Sequence, residues 1–512
     1  MHFHLCLLEF FDYLRNSETT VFKDMAEKIK KLMNDYPAAR WAALILIALM
    51  MFFGYMFVDV MSPLQSLVEQ QRGWTPHVFG TYAAAEYILN VCGFLIIAGI
   101  ILDKMGIRFT GILAASMMFV GASLKFIGIS EWFQGTAFNA WLGSWWTALP
   151  GSAKMASLGF MIFGCGCEMA GTTVSKSIAK WFKGKEMALA MGIEMAIARV
   201  GVFAIFSISP AIAAKFGTVA APVGFCTVLL LIGVINFIAF SVMDTRFDKQ
   251  LVAEGKLKAK EERSSEDEFH LRDLGGVFGS KSFWTVAILC VLYYSAIFPF
   301  QRYGANMLQC NIGDLTPQQA ANIFRWFPIG AAIITPFLGA FLDHKGKGAT
   351  MLIWGAVLLI VCHLVFAFAL PATHSKLLAY STIVLLGISF ALVPAALWPS
   401  VPKIIDEKIL GSAYNLIFWV QNIGLCFVPL LIGSVLESSN AYNPHVLSAK
   451  WNGLDFIPYN YTVPLIIFAC FGVAALLVAV YLKALDAKKH LGLEEPNIKK
   501  EEAAGKKAEA AE

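Results

Sequence analysis

The chain has 512 residues, of which 58% are hydrophobic and only 15% are charged, and its mean hydropathy is +0.64. Soluble proteins carry roughly 25% charged residues, so this composition excludes an ordinary soluble domain and indicates a multi-pass membrane protein. The net charge of +4 is small and spread over loops and tails, which argues against a nucleic-acid partner.

Apolar runs of about 20 residues follow one another along the chain, and each is long enough to cross the hydrocarbon core of a bilayer. There are twelve, at about 40–62, 77–102, 108–130, 155–180, 187–210, 219–243, 282–308, 318–342, 350–370, 376–402, 409–437 and 461–485. They predict an all-α integral membrane fold of twelve transmembrane helices, arranged as two six-helix halves at 40–243 and 282–485.

Charged segments frame these two halves. An N-terminal segment covers residues 1–39, a central loop covers 244–281, and a charged, Ala-rich tail covers 486–512. The composition of the tail predicts disorder. One alternate set of short loops holds eight Lys and Arg residues, more than the opposite set, so this set, the central loop and both termini are predicted to be cytoplasmic.

A repeated motif closes the second helix of each half. The first copy, between runs two and three, reads GxxxDKxGxR, and the second copy, after run eight, has Gly348 where the first has Arg108. The motif resembles the loop signature of the major facilitator superfamily, which implies a transporter with alternating access. The predicted gating residues are Asp103, Lys104, Gly106, Arg108 and Asp343.

Two full charges lie inside apolar runs four and five. The turn WFKGKE joins these runs, and Glu168 and Arg199 each lie 15.5 residues from its centre. At about 1.5 Å per residue, each charge is on the order of 20 Å up its helix, so the hairpin places both near one depth in the membrane. One interpretation is a mutual salt bridge that locks the two helices. The other is a site for a ligand with one positive and one negative end.

Four longer blocks are more specific than the loop signature. WFKGKE followed by ARVG, then YYSAIFPF, ALWPSV and LGSAYNLIFWVQNIG, occur in this order. Together they resemble the family of lysosomal dipeptide uniporters and its prokaryotic relatives. The resemblance implies that Glu168 and Arg199 hold the two peptide termini, and that dipeptides cross by uniport. The further predicted substrate-binding residues are Tyr87, Tyr293, Tyr294, Trp398, Gln421 and Asn422.

Other charged residues in the apolar runs have weaker assignments. Glu86 is interpreted as facing a solvated vestibule, and Asp59 as a helix-end or gate residue. Arg302 and Arg325 lie toward the outer ends of their runs, and two roles are considered for them: an outer gate or an interfacial anchor. Glu194, five residues before Arg199 and on a different helix face, is interpreted as a packing residue.

Two other functions remain open at this point. An organic-anion or nitrate-type carrier of the same fold would need a positive cavity without an opposing carboxylate. A non-transporting receptor or assembly subunit is the alternative of another class. No metal-protease or phosphate-loop motif is found, so neither an enzyme nor a cofactor is predicted.

The predicted location depends on the N-terminal segment. Animal members of the family carry an acidic dileucine sorting signal, whereas LCLLEF has no acidic residue ahead of Leu7 and Leu8. A bacterial inner membrane is therefore expected in preference to a lysosomal membrane. The partners expected are dipeptides and the lipid bilayer, and no accessory subunit is assigned.

Overall fold

The computed structural model describes residues 32–183, 185–253, 279–405 and 410–496, and every regular element in these ranges is helical. We number the membrane-crossing helices α1 to α12. They are α1 (Pro37–Asp59), α2 (from Pro76 to the break at Gly106), α3 (from that break to Ile129), α4 (Gly151–Trp181), α5 (Met187–Phe216), α6 (Ala220–Ala253), α7 (Lys281–Ile312), α8 (Pro317–Lys345), α9 (Gly348–Thr373), α10 (Lys376–Ile404), α11 (Leu410–Ser439) and α12 (Thr462–Lys489). Short helices at Gln65–Arg72, Glu131–Gln134, Ala137–Ser144 and Pro444–Trp451 lie in the connections.

Helices α2 and α3 form one helical stretch of 54 residues, so only 11 separate apolar stretches are long enough to cross a membrane in the described chain. At about 1.5 Å per residue this stretch would be about 80 Å long, far beyond a core of about 30 Å. Gly106 breaks it with φ 76° and ψ 172°, a conformation that side chains disfavour. The chain therefore crosses twice here, and the twelve-helix prediction is confirmed.

Helix α2 also contains an irregular turn near its middle. Residues Asn90–Phe94 form a π-helical turn in which Gly93 has φ 106°. Such turns leave a carbonyl without its helical partner, and the indole Nε1 of Trp419 on α11 donates a hydrogen bond to the Val91 carbonyl at 2.9 Å. The irregularity thus becomes a point of attachment between the two halves.

Several helices begin with a side-chain cap. The hydroxyls of Thr75, Ser280, Thr316 and Ser375 accept hydrogen bonds from backbone N–H groups of the first turns of α2, α7, α8 and α10. Proline follows the cap at the start of α2 and α8, where no N–H partner is needed. Because lipid offers no hydrogen-bond partner, the crossing backbone remains helical throughout.

The two ends of the helix bundle differ in composition. We call one end the basic end, because its loops and helix termini carry Lys104, Arg108, Lys183, Lys185, Lys345, Lys347 and Lys403. We call the other the aromatic end, because its connections expose Trp132, Trp141, Trp145, Trp146, Tyr442 and Trp451. Aromatic side chains of this kind are typical of a membrane interface.

The halves α1–α6 and α7–α12 are joined at the aromatic end. Cross-half hydrogen bonds there link Ser66 to Gln309 at 3.1 Å, Gln70 to Asp455 at 2.6 Å, Thr75 to Glu437 at 2.7 Å and Ser207 to Arg325 at 2.9 Å. Tyr459 donates to Glu69 across the same boundary, and burial together with the Glu69 carboxylate raises the pKa of Tyr459, which keeps its hydroxyl protonated.

Contacts at the basic end stay within one half. The hydrogen bonds and ion pairs that join two described residues there connect α1–α6 to one another or α7–α12 to one another. The structure is therefore closed at the aromatic end, and no such bond between described residues holds the halves together at the basic end.

Two of the predicted boundaries need correction. Helix α6 continues to Ala253, so the first ten residues of the predicted central loop are helical. The predicted disordered tail starts too early, because α12 runs to Lys489 and residues 491–496 pack against the bundle. The remainder of the central loop (254–278), of the tail (497–512) and of the N-terminal segment (1–31) lies outside the described residues.

Residues 491–496, which we call the strap, fold back over the basic end of the second half. The Glu494 carboxylate accepts hydrogen bonds from the backbone N–H of Thr350 at 2.7 Å and from its hydroxyl at 2.9 Å. Lys403 donates to the Gly492 carbonyl at 2.9 Å. An acidic group at the first turn of α9 offsets the positive end of the helix dipole, so the strap caps α9.

The strap explains why the second copy of the loop motif lacks an arginine. Gly348 donates its backbone N–H to the Leu493 carbonyl at 3.0 Å, and a Cβ at this position would lie only 2.7 Å from that same oxygen. In the first half, the corresponding Arg108 pairs with Asp248 on α6 at 2.7 Å. Backbone contact with the strap in one half thus replaces an ion pair in the other.

We predict that Gly348→Ala loosens the strap, because the added methyl group collides with the Leu493 carbonyl. Hydrogen–deuterium exchange of the amides in 491–496 should become several-fold faster in the purified protein. Gly99→Ala is the matched control: it lies in the first copy of the motif, and a Cβ there meets no atom within 4 Å. Unchanged exchange in Gly348→Ala would show that the close packing of the strap does not depend on this glycine.

Candidate functional site

Glu168 lies midway along α4 and keeps part of its side chain exposed. Its carboxylate interacts with the side-chain amide of Asn422 on α11. The Asn422 nitrogen donates to the Phe418 carbonyl at 2.9 Å, whereas its buried oxygen has no hydrogen-bond partner among the described residues. The buried oxygen of Asn422, on the second half, is thus an acceptor without a donor beside the Glu168 carboxylate of the first half.

Arg199 lies midway along α5 and is also partly exposed. The guanidinium carbon is 4.7 Å from the ring centroid of Phe390 on α10, which is a cation–π contact across the two halves. The remaining electrostatic neighbours of Arg199 are the phenols of Tyr294 on α7 and Tyr55 on α1. The guanidinium is therefore held by aromatic groups and has no carboxylate partner in the described chain.

Glu168 and Arg199 do not pair with each other. Among the ion pairs between described residues, which reach to 4.0 Å, neither residue takes part. The mutual salt bridge is therefore not formed in this conformation. The charges of Glu168 and Arg199 both act on the Tyr55 phenol, so Tyr55 belongs to the surroundings of the site. Nothing in the sequence around Tyr55 distinguished it from the other aromatic residues of the apolar runs.

Aromatic residues of the second half form a wall beside Arg199. Trp398 donates its indole N–H to the Tyr294 hydroxyl at 3.1 Å, and its ring lies 5.0 Å from that of Phe418. Tyr294 stacks on Phe298 with ring centroids 5.4 Å apart. Of the predicted substrate-binding residues, Tyr294 and Asn422 are neighbours of the first-half residues Arg199 and Glu168, and Trp398 contacts Tyr294.

Tyr293 and Gln421 have other surroundings. Tyr293 is 0% exposed and shares a hydrogen bond of 2.8 Å with Ser389, deep inside the second half. In this conformation the phenol is buried against α10, and its assignment to substrate contact stays a prediction. Gln421 is buried and accepts a hydrogen bond from the Cys290 thiol at 3.5 Å, so it packs between α11 and α7.

A buried cluster of charges joins the halves between this site and the aromatic end. Arg302 of α7 pairs with Asp59 of α1 at 3.1 Å and also with Glu86 of α2. Gln301 donates to the other oxygen of Asp59 at 2.5 Å. We call Asp59, Glu86 and Arg302 the latch. Glu86 is 5% exposed, so the interpretation that it faces a solvated vestibule is wrong.

Lys125 of α3 adds a second buried cation beside the latch. Its ammonium lies 4.2 Å from the ring centroids of both Phe57 and Phe160, and 3.5 Å from the Phe57 carbonyl. With both carboxylates and both cations ionised, the cluster has no net charge, which reduces the cost of burying it. A single lysine in a small-residue stretch of α3 was not recognised from the sequence, although a charge within an apolar run is itself a signal.

The predicted gating residues lie at the basic end. Asp103 pairs with Lys176 of α4 at 2.6 Å, and Arg108 contacts Asp248 and Asp244 of α6. Lys104 is exposed, and Gly106 forms the turn between α2 and α3. In the second half, the charge of Asp343 attracts Lys403 on α10.

Two of the remaining charged residues are also located. Arg325 donates to the Ser207 hydroxyl and lies over the rings of Phe203 and Trp326, at 5.1 and 5.8 Å from their centroids. It is therefore both an aromatic anchor and a contact between the halves. Glu194 is partly buried on α5, and its charge acts on the Tyr55 phenol.

Comparison with known proteins agrees with this architecture. The sequence profile of the Major Facilitator Superfamily matches residues 44–429 and 305–508. The lysosomal dipeptide transporter MFSD1 of Mus musculus is 28% identical over 410 residues, covering 77% of this chain and 80% of the relative. The Homo sapiens protein of that name is 26% identical over 414 residues, covering 78% and 81%.

A solved structure with the same fold is that of the nucleoside transporter NupG. It superimposes with a TM-score of 0.59 at 15% sequence identity and covers 86% of this chain and 98% of its own. At this identity the likeness concerns the fold alone, since one fold hosts many substrates. The matched profile covers most of the chain, and the twelve helices form two six-helix halves. The chain therefore belongs to the Major Facilitator Superfamily of membrane transporters.

Proposed function

We propose that this transporter carries dipeptides, with the peptide ammonium held by Glu168 and the peptide carboxylate held by Arg199. The observation that supports the proposal is that these opposite charges lie between the halves without pairing with each other or with another ion among the described residues. A carboxylate suits an ammonium, and a guanidinium fork suits a carboxylate. The unpartnered oxygen of Asn422 supplies a second acceptor for the ammonium.

The ammonium would be held by both halves, because Glu168 belongs to the first half and Asn422 to the second. The carboxylate would be held by Arg199 of the first half, whose guanidinium contacts Phe390 of the second half. A ligand that contacts both halves can follow their rocking motion around a central site. The motif residues at the basic end would then close that end when the aromatic end opens.

The direction of access follows from the orientation that we propose. The Lys- and Arg-rich basic end faces the cytoplasm by the positive-inside rule, with both termini on that side, so the bonded aromatic end is the outer end. We further propose a bacterial inner membrane as its location. The matched relatives are lysosomal dipeptide transporters, which supports a dipeptide substrate, and the mode that we propose is uniport.

We predict that Glu168→Gln and Arg199→Gln each weaken dipeptide binding by about 10- to 150-fold, because a charge-assisted hydrogen bond is worth about 1.5–3 kcal/mol. Both variants should still purify as monodisperse protein, and uptake into proteoliposomes measures the loss. Glu194→Gln is the matched control, since that carboxylate lies on α5 but is not among the groups that interact with Arg199. Misfolding of both variants, with rescue by the double neutral replacement, would instead support a structural salt bridge.

We predict that ligands need both free termini and dipeptide length. Two end clamps reject a ligand lacking one charge, because a buried site group is then left unpaired. N-acetylated and C-amidated dipeptides should therefore compete poorly with a labelled dipeptide, whereas changes of side chain should matter less. Strong competition by an N-acetylated dipeptide would favour an organic-anion carrier that uses Arg199 without Glu168.

We predict that dipeptides move down their own gradient without obligatory proton coupling. The test imposes a pH gradient and a membrane potential separately on proteoliposomes and follows labelled dipeptide. Equilibration without accumulation is expected under both conditions, because the proposed carboxylate for the ammonium is occupied by the ligand itself. Concentrative uptake that depends on the pH gradient, and that a protonophore abolishes, would show proton coupling.

A further inference from the structure

We propose that the latch senses the ligand: a cation bound at Glu168 weakens the hold of Arg302 on Glu86 and so favours opening of the aromatic end. Glu86 and Tyr87 are then positioning residues that connect the ligand site to the gate. The choice of a dipeptide ammonium as this cation rests on the proposed function, whereas the electrostatic coupling itself does not.

The packing of α2 against α4 brings the latch close to the site. A Cβ at Gly164 of α4 would lie 2.0 Å from the Glu86 carbonyl oxygen and 3.1 Å from the Glu86 Cγ. Glu168 follows one helical turn after Gly164, and residues four apart share a helix face. The missing side chain at Gly164 therefore lets Glu86 approach the face that carries Glu168, and the two carboxylates repel each other.

Tyr87 follows Glu86 on α2 and is within electrostatic reach of both Arg302 and Glu168. Glu86 itself pairs with Arg302. A change of charge at Glu168 therefore acts on the latch through two buried neighbours, Glu86 and Tyr87, where screening by solvent is weak.

The sign of the coupling follows from which half carries each charge. Glu86 and Glu168 belong to the same half, so their mutual repulsion changes little when the halves separate. Arg302 belongs to the other half, so its ion pair with Glu86 exists only while the aromatic end is closed. A cation added at Glu168 repels Arg302 in the closed state and therefore weakens that state.

The charges left behind after opening act in the same direction. When Arg302 leaves with the second half, the first half keeps three carboxylates (Asp59, Glu86 and Glu168), whereas Lys125 is the cation of this cluster that remains. A bound ammonium reduces this excess of negative charge, so it also stabilises the open state. Both effects move the equilibrium toward opening when ligand is present.

The opening can be measured with spin labels at Gln70→Cys and Asp455→Cys, two exposed positions that face each other across the halves at the aromatic end. The background carries Cys6→Ser, Cys92→Ser and Cys470→Ser, and the protein is studied in lipid nanodiscs by electron paramagnetic resonance. Dipolar broadening of the continuous-wave spectrum reports the short closed distance, and pulsed measurement reports the longer open distance. Alanyl-alanine is the probe ligand, and its binding is checked separately by the shift in melting temperature.

We expect alanyl-alanine to lower the closed-to-open ratio by about tenfold, the order of effect that one added unit charge has in a partly desolvated site. Glu168→Gln should produce a shift in the same direction without ligand, because it removes a negative charge from the first half. In Glu86→Gln the ligand-dependent shift should largely disappear. Arg302→Gln breaks the latch from the opposite half, and in this variant too the ligand-dependent shift should largely disappear. It replaces Glu86→Gln in the test if that variant does not fold.

Glu437→Gln is the matched control. Glu437 also bonds across the halves at the aromatic end, to Thr75 and the backbone of His77, but no latch residue is among its hydrogen-bond partners in the described chain. This variant should open more readily without ligand and keep the full ligand-dependent shift.

Two results would overturn the coupling: no opening in ligand-free Glu168→Gln, or a full ligand-dependent shift in Glu86→Gln. If alanyl-alanine does not bind the wild-type protein while Glu168→Gln still opens it, the coupling stands and the dipeptide is the wrong ligand.

Discussion

The hydrocarbon core of a bilayer contains no water, so a charged side chain placed there needs a counter-charge within the protein or contact with a solvated path. Asp59, Glu86, Arg302 and Lys125 meet this requirement together, as a buried cluster in which two acidic and two basic side chains face one another. Glu168 and Arg199 meet it in the other way, because neither has an ionic partner in the described part of the chain and both stay partly exposed. A ligand with two opposite charges would supply the ionic partners that Glu168 and Arg199 lack.

The same constraint explains how the two halves meet. Their boundary carries ion pairs and hydrogen bonds toward the aromatic end and aromatic groups around the central site. Polar contacts across the boundary can break and re-form with water, whereas helix packing within each half cannot separate without exposing apolar surface. The division into two bodies therefore follows the placement of polar contacts.

The basic ends of the two halves reach a similar result by different chemistry. In the first half, Arg108 and Lys180 converge on Asp244 and Asp248 of α6. In the second half, the strap after α12 brings Glu494 to the start of α9. Both arrangements tie the last helix of a half to the start of its third helix, so each half can move as a unit.

The sequence by itself determined the twelve helices, their approximate bounds, the loop motif and the mid-helix positions of Glu168 and Arg199. Hydrophobic length and an isolated charge in an apolar run are local properties, and the bilayer makes both of them decisive. The break at Gly106 was likewise readable, since a glycine-containing polar motif between two long apolar runs indicates a turn.

The tertiary structure alone decided which charges pair. Asp59 and Glu86 lie more than 200 positions before Arg302 in the chain, and helical periodicity cannot show that three different helices meet there. The burial of Tyr293, the contact between Arg199 and Phe390, and the return of the strap to Gly348 depend in the same way on which helices become neighbours. Packing between elements far apart in the chain sets these contacts, and no local pattern of residues encodes it.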